Sequence, residues 1–301
     1  MRALAVVLVA AVCAGFAAAG RSPRALLTPC LDGGDRSTKL TLIERLSRNP
    51  EILVLGSSRA RTAEPSFLQR LTRHSGFNAA VKGGDAADAW VMVRFTADRF
   101  PRRTRRYLWF VDTGVATSGV NAALAAEPRA RKYLDASDGQ PGIGACPRMN
   151  SVYLPDGSIA RSPAISSQKR ARILAQSVAK LVASIDAHPP KTRNFDPSRY
   201  RYFEQAIAFM NQHGSRPVIV LNPIHPRVLA ELEKYGFPGR ATAHAYLDQL
   251  RQTLNFVVVD CQDIRRWGGS AADFDDATHV DRTNMHRMLR YVVAHSGGAL
   301  R

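Results

Sequence analysis

Five short apolar runs constrain this chain most: Ile52–Leu55, Phe77–Val81, Tyr107–Val111, Arg216–Leu221 and Phe256–Asp260. They lack the polar alternation of a half-exposed strand, so both faces of each are expected to be buried. Segments with helical spacing lie between and around them, at Leu40–Leu46, Arg59–Arg73, Asp85–Arg99, Ser167–Ile185, Pro197–His213, Ala241–Leu254 and Arg282–His295. Strands alternating with helices predict an α/β fold, a three-layer sandwich with a five-stranded parallel sheet and helices on both faces. About one hundred residues, 114–216, hold no further strand and read as an insertion. In such sheets ligands bind at the carboxyl ends of the strands. Chemistry is therefore expected in the loops after Leu55, Val81, Val111, Leu221 and Asp260.

The amino terminus bears on location. Met1-Arg2 precedes an unbroken apolar stretch, Ala3–Ala19, that ends in small residues at Ala17 and Ala19. This is the pattern of a signal peptide, and its length is also near the lower limit for a membrane-spanning anchor. Residues 1–20 are read as one or the other, and residues 21–49 as an irregular lead-in with a short helix. Either reading exports the rest of the chain, to the periplasm or to the outer face of the cytoplasmic membrane. Cys13 lies in the exported segment. Cys30 and Cys146, both in loops rich in Pro and Gly, are the expected disulfide pair, and Cys261 is expected to be a buried free thiol. No Cys/His spacing suits a metal, and no cofactor is expected.

The formal charge is +17, from 42 basic and 25 acidic residues, and 35 of the basic residues are Arg. Such a surface favours acidic partners, either an anionic glycan or an anionic membrane face. The arginines are scattered, no nucleic-acid motif is present, and export conflicts with that role, so no nucleic-acid partner is expected.

Two loops carry candidate chemistry. After the first strand comes Gly56-Ser57-Ser58-Arg59. Glycine allows an abrupt turn there, and Ser58 falls at a helix start, where free N–H groups favour an anion. Either serine could instead simply cap the helix. Before the last helix stands Asp275-Asp276-Ala277-Thr278-His279. Asp276 and His279 are three apart, so a helical turn puts them on one side. The carboxylate would orient the imidazole, which would take the serine proton. Asp275 is an alternative orienter.

Together these blocks resemble the SGNH/GDSL hydrolase superfamily over about residues 50–295. Gly56-Ser57-Ser58 is similar to its nucleophile block, with Ser57 at the position of the family's aspartate, and Asp276-Ala277-Thr278-His279 is similar to its C-terminal block. Phe77–Gly83 looks like its second-strand segment. The resemblance implies a flavodoxin-like sheet, Ser58 as nucleophile, His279 as base and Asp276 as its orienter. The oxyanion donors would be the N–H groups of Ser58 and Gly83. One block departs. Where the family carries an Asn amide donor, this chain has Val111-Asp112-Thr113-Gly114, and Thr113 is the candidate substitute. Losing such a donor raises the barrier by about 3 kcal/mol. The departure is similar to envelope-facing members in alginate acetylation and teichoic-acid alanylation. It implies a serine esterase or O-acyltransferase working on an acylated glycan or other ester, with a membrane O-acyltransferase as an implied partner. The competing expectation is a polysaccharide-binding protein of the same fold with little catalysis. Arg59, which could pair an anionic substrate group, and His225 are the remaining substrate-lining candidates.

Overall fold

The computed structural model describes residues 34–101, 105–112, 120–136, 138, 153–160, 165–190 and 200–301. The predicted export segment, Cys30, Cys146 and Thr113 lie outside them. Five strands form one parallel sheet in the order β2-β1-β3-β4-β5, where β1 is Ile52–Leu55, β2 Gly76–Asn78, β3 Arg106–Val111, β4 Val218–Leu221 and β5 Val257–Asp260. The helices are α1 (Asp35–Arg45), α2 (Pro65–Thr72), α3 (Ala86–Arg99), α4 (Ala122–Ala125), α5 (Ser167–Ala187), α6 (Arg201–Gln212), α7 (Pro226–Lys234), α8 (Pro238–Leu250) and α9 (Arg282–His295).

The two-residue period of the strands divides their side chains between two cores. Leu53, Leu55, Phe77, Tyr107, Trp109, Ile219 and Leu221 face one way, against α1, α3, α6 and α8. Ile52, Val54, Leu108, Phe110, Val218 and Val220 face the other, against α2, α5, α7 and α9. Each large apolar side chain so buried contributes roughly 1.5–3 kcal/mol. The result is the three-layer α/β sandwich expected from the unalternated strands. Cys261 is buried and free, and burial pushes its thiol up.

The local departures have identifiable causes. The segment 59–73 is not one helix: a 3-10 turn covers Ser58–Ala60, and α2 starts afresh at Pro65. Pro65 holds the preceding Glu64 in an extended conformation, with ψ 119°, which a continuous helix cannot accommodate. Strand β2 stops at Asn78 rather than Val81. The buried Asn78 side chain takes over backbone partners there: its Nδ2 donates to Ala60 O at 2.9 Å and Ala63 O at 2.8 Å, and its Oδ1 accepts from Ala80 N at 3.0 Å. Helix α7 lies between the fourth strand and the helix expected from Ala241, in a stretch for which no helix is predicted. Pro226 occupies the first turn, where a missing N–H does no harm, and His225 caps it. Helix α8 begins at Pro238, not Ala241, and ends at Leu250, not Leu254. Helix α1 begins at Asp35, earlier than Leu40, because Arg36 and Lys39 are drawn inward, at 5% and 0% exposure, and spoil the amphipathic pattern.

Candidate active site

Gly56 ends β1 with φ 140°, a conformation side chains resist, and a Cβ there would stand 2.7 Å from Phe110 O. The chain can therefore turn directly from the sheet into the 3-10 turn. Ser57 is the cap of that turn, its Oγ accepting from Arg59 N at 3.4 Å. Ser58 is left with a different partner: its Oγ lies 2.8 Å from His279 Nε2. The two roles open to these serines are thus divided between them.

His279 and Asp276 sit on a tight loop closed by the bridge Phe274–Val280 and by Asp275 N donating to His279 O at 2.8 Å. Asp276 Oδ1 accepts from Thr278 N at 2.7 Å, Thr278 Oγ1 at 2.9 Å and His279 N at 2.9 Å. Its Oδ2 lies 2.8 Å from His279 Nδ1. The carboxylate thus folds the loop and orients the ring together. A proton on Nδ1 then donates to Asp276, which leaves the Nε2 lone pair for the Ser58 hydroxyl. Helix α5 braces the loop from outside, where Ser177 Oγ accepts from Ala277 N at 3.1 Å. Asp275 contributes a backbone bond to His279, while Asp276 supplies the carboxylate. Burial pushes the Asp275 carboxyl up, with the Arg170 charge opposing.

Partial burial raises the Asp276 pKa, but the hydrogen bonds from His279 and Thr278 and the His279 charge outweigh it. They hold the carboxyl well below its ordinary range. A lowered folded-state value stabilises the fold above the unfolded pKa of about 3.9, and that contribution is lost as pH falls below it. The stability advantage of wild type over Asp276→Asn is therefore expected to be full at pH 6 and to shrink at pH 3.5. Denaturant midpoints at the two pH values measure it.

The backbone N–H groups of Ser58 and Gly83 donate to nothing among the described residues. The loop that carries Gly83 packs directly on the Gly56–Ser58 turn: Val81 N donates to Gly56 O at 3.2 Å, and a Cβ on Gly84 would meet that same oxygen at 2.6 Å. Two donors with no acceptor among the described residues therefore border the turn that holds Ser58. At the end of β3, Asp112 pairs with Arg59, Nη1 to Oδ1 at 2.8 Å, and accepts from Asn222 Nδ2 at 2.8 Å. Arg59 is thus engaged by a carboxylate at the mouth of the site. Neither the Arg59–Asp112 pair nor the Asn222 contact was evident in the sequence, because three separate strand-end loops supply them.

His225 is buried and caps α7, with Nδ1 accepting from Arg227 N at 3.3 Å and the ring edge-on to Phe274 at 5.2 Å. Burial and the Arg227 charge depress its pKa. It lines a cavity of about 670 Å³ with Leu174, Val178, Arg227 and Ala271, and makes no hydrogen bond to Ser58, Asp276 or His279. The structure therefore brings together Ser58, His279 and Asp276, with Gly83 and Arg59 alongside, and gives His225 a capping role. Among the described residues no group of three or more His, Cys, Asp or Glu could hold a metal ion. Nor is any described helix long and apolar enough to cross a membrane.

No protein-family model matches the sequence, and no curated protein matches it. Among solved structures, one described as "a putative platelet activating factor from Streptococcus pneumonia" is similar over 86% of this chain and 89% of that one, at 10% identity and a TM-score of 0.41. That likeness is too distant to bear on activity.

Proposed function

We propose that this chain is an SGNH-like exported serine esterase or O-acyltransferase acting on acyl groups of an envelope or extracellular polysaccharide. The observation that carries the reading is the continuous hydrogen-bond chain from Ser58 Oγ through His279 to the Asp276 carboxylate. The Ser58 oxygen attacks the ester carbonyl carbon as its proton passes to His279 Nε2. Charge developing on the carbonyl oxygen is met by the N–H groups of Ser58 and Gly83. His279 then returns the proton to the departing sugar oxygen as the ester C–O bond breaks, leaving an acyl-Ser58. Water, or a second sugar hydroxyl, enters by the same route in reverse. Asp276 holds the ring and stabilises its charged form. Side chains of His279 and Asp276 that are 35% and 37% exposed leave the centre open to a large substrate. The Arg-rich surface suits an acidic glycan held at the membrane face, and a membrane O-acyltransferase would supply acyl groups in the transfer mode.

One observation favours a second reading, a polysaccharide-binding protein of this fold with little turnover. A carboxylate, Asp112, stands at the strand end where a neutral amide donor would help an oxyanion. Acetate release from an O-acetylated acidic polysaccharide, followed by NMR, separates the two. The enzyme reading expects release that requires Ser58. Tight glycan binding with no Ser58-dependent release would support the second.

A further inference from the structure

We infer that Asp35 and Arg36, at the start of α1, are positioning residues for the Gly83 N–H, so that the helix preceding the sheet is part of the site. The inference rests on the reading of Ser58 as nucleophile. Gly83 is exposed, has φ +60°, and has no atom within 4 Å of where a Cβ would stand. Gly84 follows it. Nothing stands near the α-carbon of Gly83, so sterics there leave the direction of its N–H unset. An oxyanion donor must nevertheless lie 2.7–3.1 Å from the developing charge. A turn closed by Gly84 N donating to Val81 O at 3.1 Å carries the donor, and something has to hold that turn in place.

Two contacts from α1 do so, one on each side. Asp35 Oδ2 accepts from Lys82 N at 2.9 Å, which fixes the Val81–Lys82 peptide, next to the one that bears the Gly83 N–H. Arg36 Nη2 donates to Gly83 O at 3.4 Å, which restrains the peptide after it. Both anchors are themselves held. Arg36 donates to both oxygens of Asp88, from Nε at 2.6 Å and Nη2 at 2.7 Å, in a pair only 5% and 2% exposed. Asp88 also accepts from Asp85 N at 3.1 Å, at the start of α3. Asp35 is braced by Arg61 Nη1 at 3.3 Å, and Arg61 also donates to the Tyr153 hydroxyl at 3.2 Å. The loop is thus clamped between α1 and α3, with its N–H donor between the clamps. A donor fixed in this way acts on the charged transition state rather than on the bound ester, so its loss should fall on kcat and not on KM.

The test compares Asp35→Ala and Asp35→Asn with wild type. The readouts are amide hydrogen exchange at Lys82 and steady-state hydrolysis of p-nitrophenyl acetate. Asp35→Ala is expected to speed exchange of the Lys82 amide about tenfold or more. It should also lower kcat by about ten- to a hundredfold, with KM unchanged. Asp35→Asn keeps an acceptor oxygen and should recover most of both. Should Asp35→Ala fail to fold, Arg36→Lys replaces it. A lysine can still pair with Asp88 but not reach Gly83 O as well, and the same kcat loss is expected. Ser58-dependent turnover in wild type with kcat undisturbed in these variants overturns this inference alone, as does a change confined to KM. Absence of any Ser58-dependent turnover in wild type overturns the functional reading, and the catalytic purpose of the clamp with it.

Discussion

Ser58→Ala is expected to lower ester turnover by roughly 10⁴–10⁶-fold in kcat, leaving only what binding and the oxyanion donors supply. The size follows from the division of labour at the turn. Ser57, not Ser58, caps the 3-10 turn, so removing the Ser58 hydroxyl deletes no structural bond other than that to His279. The variant should therefore melt within a few degrees of wild type. A comparable loss of activity with collapse of the fold would mean that Ser58 is structural. Steady-state rates on a p-nitrophenyl ester together with a thermal melt separate the two outcomes.

Asp276→Asn is expected to lower kcat by roughly 10⁴-fold, while Asp275→Asn should change it by less than about tenfold. An asparagine at 276 can still accept through its oxygen from Thr278 N and His279 N, so the loop keeps its shape. What is lost is the negative charge against Nδ1. Without it the ring has no reason to prefer the tautomer with a free Nε2 lone pair, and no counter-charge once protonated. Asp275 gives His279 only its backbone N–H, which an asparagine retains. Equal losses in the two variants would show that the general acidity of this loop, rather than one carboxylate, matters. The two residues are adjacent and chemically identical, so the sequence could not choose between them. The structure does, by placing Asp276 Oδ2 2.8 Å from His279 Nδ1.

The sheet was legible because each strand is too short and too uniformly apolar to be anything but buried on both faces. The site was legible where its parts lie close in sequence, as in Asp276 and His279, or at a turn with a restrictive backbone, as in Gly56 to Ser58. What escaped was built from distant polar residues. Asp35 and Arg36 lie in a stretch read as irregular, and their partners, Lys82, Gly83 and Asp88, come some fifty residues later. An inward-facing arginine paired with an aspartate looks, from sequence, like any surface charge. The same holds for Lys39, wholly buried, with Nζ donating to Asn78 O at 2.6 Å and also to Gly157 O. Asn78 likewise gives no sequence sign that its amide will tie the end of β2 to the turn after β1.

Arg59 reads differently with the structure in view. Positive charge in the first turn of a helix opposes the dipole, yet here it answers Asp112 at the end of β3. That carboxylate occupies the strand end where an amide donor would assist an oxyanion. Arg59 and Asn222 both hold it, which limits the repulsion it would otherwise exert on developing negative charge. Ser58 is thus expected to act as a nucleophile despite the carboxylate at that strand end.

The nucleophile itself is the central claim, and intact-mass analysis after reaction with a fluorophosphonate tests it most directly. One adduct per chain is expected, mapped by peptide fragmentation to Ser58, lost in Ser58→Ala and strongly slowed in His279→Ala. No adduct under conditions that label an ordinary serine esterase, or an adduct on another residue that persists in Ser58→Ala, would contradict it.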